Sequence, residues 1–296
     1  MPIQDSNSTD NKDNTVITIE TGEAGQTYRA TVDSENRLLV NTKINSSDNS
    51  DFFLDVAKGD VTNHCYVNKF GSVPNLSSGD IADVYDYGNT VEIYPFPTSA
   101  LTTTVVSTSA NDTSSGTGAR TVEIQGLASD YSRLTSTATL NGLTPVTLPT
   151  NFLRVFRIKV LTAGSTGWNE GNIEVKHSTT VLGYITIGRN QTLMAIYTIP
   201  LNCTGYFYQW HTEISADIGS TNTKQAEIRL LARPFGGVFN TKDLRVLQSN
   251  ASQLQNYNKI PIVFEEKTDI KIQAYSGTNN TYVTSGFEIL LIGTGV

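Results

Sequence analysis

The sequence predicts an all-β protein, an antiparallel β-sandwich of jelly-roll-like type preceded by an extended N-terminal arm. Three observations carry this expectation. The run from Leu101 to Val160 alternates apolar with Thr and Ser positions through short segments joined by Gly and Asn turns. A period of two buries one face of a strand, so Val122, Ile124 and Leu127 are expected on one side and Thr121, Glu123 and Gln125 on the other. The composition, 38% hydrophobic and only 17% charged with Thr, Ser, Asn and Gly filling the balance, favours strands and turns over helices. Apolar strand candidates recur about every 8 to 12 residues with turn residues between them, and no helix of crossover length separates them.

Taken in order, residues 1 to 14 are polar and acidic, with the composition of a disordered tail. Such a segment has no apolar face to bury, so its ordering calls for a neighbouring subunit. VITIE, TYRATV and RLLVNTKI follow as three short strands of a meander, with turns at Gly22, Gly25 and Asp33 to Asn36. A polar breaker from Asn45 to Asp51 precedes DFFLDVAKG, a short helix closed by Gly59. HCYVNKF reads as a strand, and GSVPNLSSGDIADVYDYG as an irregular loop pinned by Tyr85 and Tyr87.

From Val91 onward the strand candidates are VEIY, TTTVVS, RTVEIQGL, STATL, FLRVFRIKV, NIEVKH, VLGYITIG, LMAIYTI, GYFYQWHTEI, QAEIRLLAR, VFNTKDLRVLQ, IPIVFEE, TDIKIQAY and YVTSGFEILLI. The chain therefore divides into an arm over residues 1–50, suited to attachment or strand exchange, and a sandwich body over 51–296, with a subdivision near 176–180. At 296 residues the chain is long enough to bury a core without disulfides or metals.

Several functions find no support in these residues. A net charge of -7 with no basic run in the sequence argues against nucleic acid, whose binding depends on clustered Lys and Arg. No apolar run spans a bilayer, and the N-terminus lacks the charged-then-apolar order of a secretory signal. Cys65 and Cys203 are expected as free thiols. Gly116-Thr117-Gly118 lacks the third glycine and the following helix of a dinucleotide site, so it reads as a flexible hairpin tip over Asn111 to Ala119. His64, His177 and His211 do not stand at zinc-ligand spacing. Asp112 and Asp130 could hold calcium only in a loop unlike the EF-hand. No catalytic residue, cofactor site or metal site is assigned, and the protein is expected not to be an enzyme. The one cluster that suits a ligand is aromatic: Tyr206, Tyr208 and Trp210 in YFYQWHTE, together with Trp168, would either line a groove for host glycans or fill a core or subunit interface.

ATVDSENRLLVNTKI, DVAKGDVTNHCYVNKFGSVP, the long run from Tyr94 to Val175, and LMAIYTIP together resemble a family of virion structural proteins of tailed bacteriophages. The resemblance covers residues 27 to 205 and carries no site residue over. It implies a non-enzymatic virion component. The first expectation is a capsid decoration subunit, of cement or head-fibre kind, docking on the major capsid protein or other virion proteins through its arm and sheet surfaces. A tail fibre or adaptor part and a carbohydrate-binding module are the alternatives. It further implies a location in the virion after synthesis in the host cytoplasm. A cyclic homo-oligomer is expected, a trimer first.

Overall fold

A computed structural model describes residues 16–20, 27–32, 38–39, 52–88, 90–216, 222–249 and 253–296. Its contacts divide the chain into two units, Met1–Leu54 and Asp55–Val296. In the first, β1 (Val16–Glu20), β2 (Thr27–Val32) and β3 (Leu38–Leu39) form an antiparallel meander in that order. The rest of the expected arm, residues 1–14 included, lies outside the described residues. The helix α1 (Phe52–Lys58) crosses from one unit into the other along the chain. Gly59 ends it at φ 82°, where an L-residue would be strained, and its amide bonds back to the Val56 carbonyl.

Among the described residues the second unit holds sixteen strands. They are β4 (His64–Leu76), β5 (Ile81–Asp83), β6 (Thr104–Ser107), β7 (Ala119–Leu127), β8 (Arg133–Thr139), β9 (Val146–Thr147), β10 (Arg154–Ala163) and β11 (Ile173–His177). There follow β12 (Thr180–Ile185), β13 (Ile196–Thr198), β14 (Cys203–Ala216), β15 (Gln225–Arg233), β16 (Asn240–Gln248), β17 (Gln253–Phe264), β18 (Asp269–Ser276) and β19 (Thr281–Gly293). Strand accounts for 55% of the chain and helix for 3%, and the strand pairings among the described residues are antiparallel, so the all-β antiparallel class holds.

The jelly-roll-like plan does not describe the strand order. Strands β6 to β12 make two sheets of their own, β10-β7-β8 and β12-β11-β6-β9, inserted between β5 and β13. The strands on either side of this insertion make the other two, β17-β14-β19-β4 and β13-β18-β15-β16, with β5 sharing the β13 edge of β18. Each pair of sheets closes on its own apolar cluster. Val105, Ile124, Ile158, Ile173 and Leu182 belong to the inserted pair, and Phe207, Trp210, Ile228, Ile272, Phe287 and Ile289 to the other. Each such side chain contributes about 1.5–3 kcal/mol on burial. Residues 176–180, where the sequence suggested a subdivision, are the tip of the β11–β12 hairpin, with His177 opposite Thr180.

Three local expectations change for physical reasons. Leu127 does not share a face with Val122 and Ile124. An odd spacing reverses its direction, and it enters the core of the other sheet pair. The segment GSVPNL continues β4 instead of looping away. Pro74 is tolerated there because β4 is an edge strand and the register slips between Val73↔Val283 and Leu76↔Thr281. VEIY forms no ladder. Its backbone is instead fixed on Asp83, whose amide bonds to the Glu92 carbonyl and whose Oδ2 accepts the Tyr94 amide at 2.9 Å.

The hairpin tip at Asn111–Ala119 is held rather than flexible. Asp112 is fully buried and accepts from Ala119, Glu170 and Gly171 amides and the Ser107 hydroxyl at 2.6–3.0 Å. Gly118 is required there, because a Cβ would lie 2.1 Å from Asp112 Oδ1. With its oxygens on these donors Asp112 has no face left for calcium, and Asp130 caps Ser132. Among the described residues no group of three or more His, Cys, Asp or Glu could hold a metal ion, and no helix is long and apolar enough to cross a membrane.

Candidate functional site

The four aromatic residues singled out in the sequence do not share a surface. Trp210 is 1% exposed and sits in the core between the sheets, so it cannot stack on a sugar. Tyr208 is the bulged residue where the β14 register slips between Phe207 and Gln209, and Tyr206 lies opposite Val263 and Leu290 on half-exposed sheet surface. Trp168, 50% exposed, belongs to the loop between β10 and β11 in the inserted sheet pair.

Trp210 instead fixes an edge. Its indole N–H donates to Asp243 Oδ2 at 3.1 Å, Asp243 Oδ1 accepts from Arg245 Nη1 at 2.6 Å, and the Arg245 guanidinium lies 5.8 Å from the indole ring. These contacts hold β16, the last strand of its sheet, over β14. Along β16, Asp243, Arg245 and Leu247 turn inward while Leu244 and Val246 turn outward, Val246 being 56% exposed. The outward row continues across the sheet by register: Val246 faces Glu227, which faces Tyr275, which faces Ile81. Val246, Tyr275 and Ile81 are all exposed, with the Glu227–Arg229 ion pair between them.

The two free edges on this side of the sheets differ. Edge strand β17 is blunted: Pro261 lacks an amide, and the ladder to β14 jumps from Phe207↔Ile262 to Gln209↔Tyr257, leaving a wide bulge that carries exposed Ile260. From Asp243 to Gln248, β16 is regular, free of proline and paired only with β15 among the described residues. Its Leu244 amide and carbonyl are taken by Asp243 Oδ1 at 2.8 Å and Arg245 Nη1 at 2.9 Å, so what this edge offers another chain is the exposed aliphatic row of Leu244 and Val246 beside it.

A second arrangement missed by the sequence reading lies where the two sheet pairs meet. Arg154 of β10 donates to both oxygens of Asp269 at 3.1 and 3.3 Å, and Arg233 donates to Asp269 Oδ2 at 3.0 and 2.5 Å. Lys271 reaches Asp83 Oδ1 at 2.7 Å. The three cations lie 5.1–6.0 Å from the Phe96 ring, and Arg233 and Lys271 lie 4.7 and 4.8 Å from Phe239. Phe96 sits at φ 45°, a conformation that costs a bulky residue about 1–3 kcal/mol and persists here because this cage surrounds it. Tyr94 completes the junction with its hydroxyl donating to the Val155 carbonyl at 3.0 Å, and burial pushes its pKa to about 12. No sequence motif spans these residues; they come from β5, β10, β15, β18, the 91–97 segment and the 234–239 turn.

No protein-family model and no curated protein matches the chain. Among solved structures, the infectious bursal disease virus Gx strain is 12% identical, with a TM-score of 0.20 over 79% of this chain and 73% of that chain. The Gt strain is also 12% identical, at 0.19 over 83% and 79%. The crystal structure of the infectious bursal disease virus VP2 subviral particle is 12% identical, at 0.20 over 79% and 73%. At these scores the likeness fixes neither fold nor role for this chain.

Proposed function

We propose that this is a non-enzymatic structural protein of a virion, a capsid decoration subunit that docks on copies of itself and on other virion proteins. The observation that carries the reading is the exposed apolar row on the β16 side of its sheet, Leu244 and Val246 with Tyr275 and Ile81. The resemblance of residues 27 to 205 to tailed-phage virion proteins supports it. The expected state is a cyclic oligomer, a trimer first.

Native mass measurement of the purified protein tests this directly. The wild type is expected to be oligomeric, and Val246→Lys, which places a charge on the open edge at little cost to folding, to be monomeric. A wild type that is monomeric and does not join particles would sink the proposal. Density for a labelled particle separates a capsid position from a tail position.

A further inference from the structure

A second group of cations lines a cleft between β4 and the β7–β8–β10 sheet. The cleft has a volume of about 260 Å³ and takes Lys69 and Cys65 from β4, Arg133 from β8, Arg157 from β10 and Tyr197 from β13. That volume is several times the roughly 30 Å³ share of one water, so it admits a small anion with its solvent. The cations here lack the carboxylate partners of their counterparts around Asp269, although Lys69 lies 5.8 Å from the centre of the Phe156 ring. Lys69 is 3% exposed, and among the described residues its one hydrogen bond is to the Phe156 carbonyl, which leaves two of three N–H donors there without an acceptor. Arg157 donates to the Asn68 carbonyl at 2.6 Å, and Arg133 to the Cys65 sulfur at 3.8 Å. Among the described residues no carboxylate pairs with any of the three. Glu288 stands nearby, engaged with Asn68 Nδ2 at 3.5 Å and with the Tyr66 hydroxyl.

A buried ammonium without a counter-charge is unfavourable, and protein interiors satisfy such donors or exclude them. We propose that this cleft is an oxyanion site, in which a phosphate, sulfate or carboxylate group accepts the idle donors of Lys69 between the guanidinium groups of Arg157 and Arg133. Guanidinium forks suit the planar or tetrahedral oxygens of such groups. Burial first, and then Arg157, lowers the Lys69 pKa well below the usual lysine value. An entering anion reverses that preference, so binding takes up a proton and weakens as pH rises. The other titratable or charged groups at the cleft are Cys65, Tyr66, Tyr197, Arg133, Arg157 and Glu288. Burial raises the pKa of both Tyr66 and Tyr197, which keeps them neutral while Lys69 titrates.

Calorimetric titration of the full chain with phosphate, sulfate and acetate tests the site, in chloride of matched ionic strength and in two buffers of different ionisation enthalpy. Saturable binding with proton uptake is expected, and the acetate arm tells a carboxylate site from one for tetrahedral anions. Lys69→Met is expected to abolish binding, and Arg133→Gln to weaken it about tenfold. Sulfate also stabilises proteins by exclusion from their surface, but that effect acts equally on the variants. Should Lys69→Met not fold, Arg133→Gln at the exposed start of β8 carries the test. Binding no stronger than that of chloride, or undiminished in Arg133→Gln, would overturn the site. Neither result bears on the β16 edge, which native mass measurement tests independently.

Discussion

Two groups of three cations lie in the second unit, and they solve the same problem in opposite ways. Around Asp269 and Asp83, Arg154, Arg233 and Lys271 each have a carboxylate partner and an aromatic face. In the β4 cleft, Lys69, Arg133 and Arg157 have carbonyl and sulfur acceptors and no carboxylate among the described residues. Lys69 and Lys271 are buried alike, so what differs between them is whether the fold supplies a carboxylate. The first group is complete as folded and joins the sheet pairs. The second is left open to something from outside the chain.

Removing partners should expose that difference. Asp269→Ala leaves two guanidinium groups without their carboxylate and should lower stability most, by about 5 kcal/mol in urea unfolding; a loss under about 1 kcal/mol would mean the junction is not a matched network. Lys271→Met strands Asp83, and about 3 kcal/mol should be lost. That loss is the smaller one because burial already raises the Asp83 pKa, so the stranded carboxyl can take up a proton and become neutral. The same substitution in the cleft should have the opposite sign. Lys69→Met removes an uncompensated charge while keeping the volume, and about 1 kcal/mol should be gained in oxyanion-free buffer. Destabilisation by Lys69→Met to the extent seen for Lys271→Met would erase the contrast between the two groups.

The smallest effect is in pH. The folded Lys69 pKa lies below that of the unfolded chain, so between the two values the unfolded state binds more protons. Wild-type stability therefore rises with pH across that window and is lowest beneath it. The advantage of Lys69→Met should shrink correspondingly as pH climbs toward about 10.4. A difference between the two proteins that does not vary with pH would show that Lys69 is not desolvated.

Strands and turns were largely legible in the sequence, because alternation and turn chemistry are local. β7, β10, β14, β18 and β19 fall where the apolar runs predict them, and Gly59 stops the helix as its position suggests. Pro74 was misleading, since a proline demotes a strand only where its missing amide would have been paired, and an edge is not visible locally. The aromatic residues were adjacent in sequence but their placement was not legible: the bulge at Tyr208 resets the alternation and sends Trp210 inward beneath β16. Lys69, Arg133 and Arg157 are 64 and 24 residues apart in turn, and no window of the sequence contains a basic patch.

The sequence by itself determined the antiparallel all-β class, the strand periods and the short helix, because each depends on side chains within a few residues of one another. Only the tertiary structure decided that one pair of sheets is inserted into another, that β16 is an edge strand, and which cations meet a carboxylate. Those outcomes depend on pairing between segments far apart in the chain, and a charge is compensated or stranded by its neighbours in space.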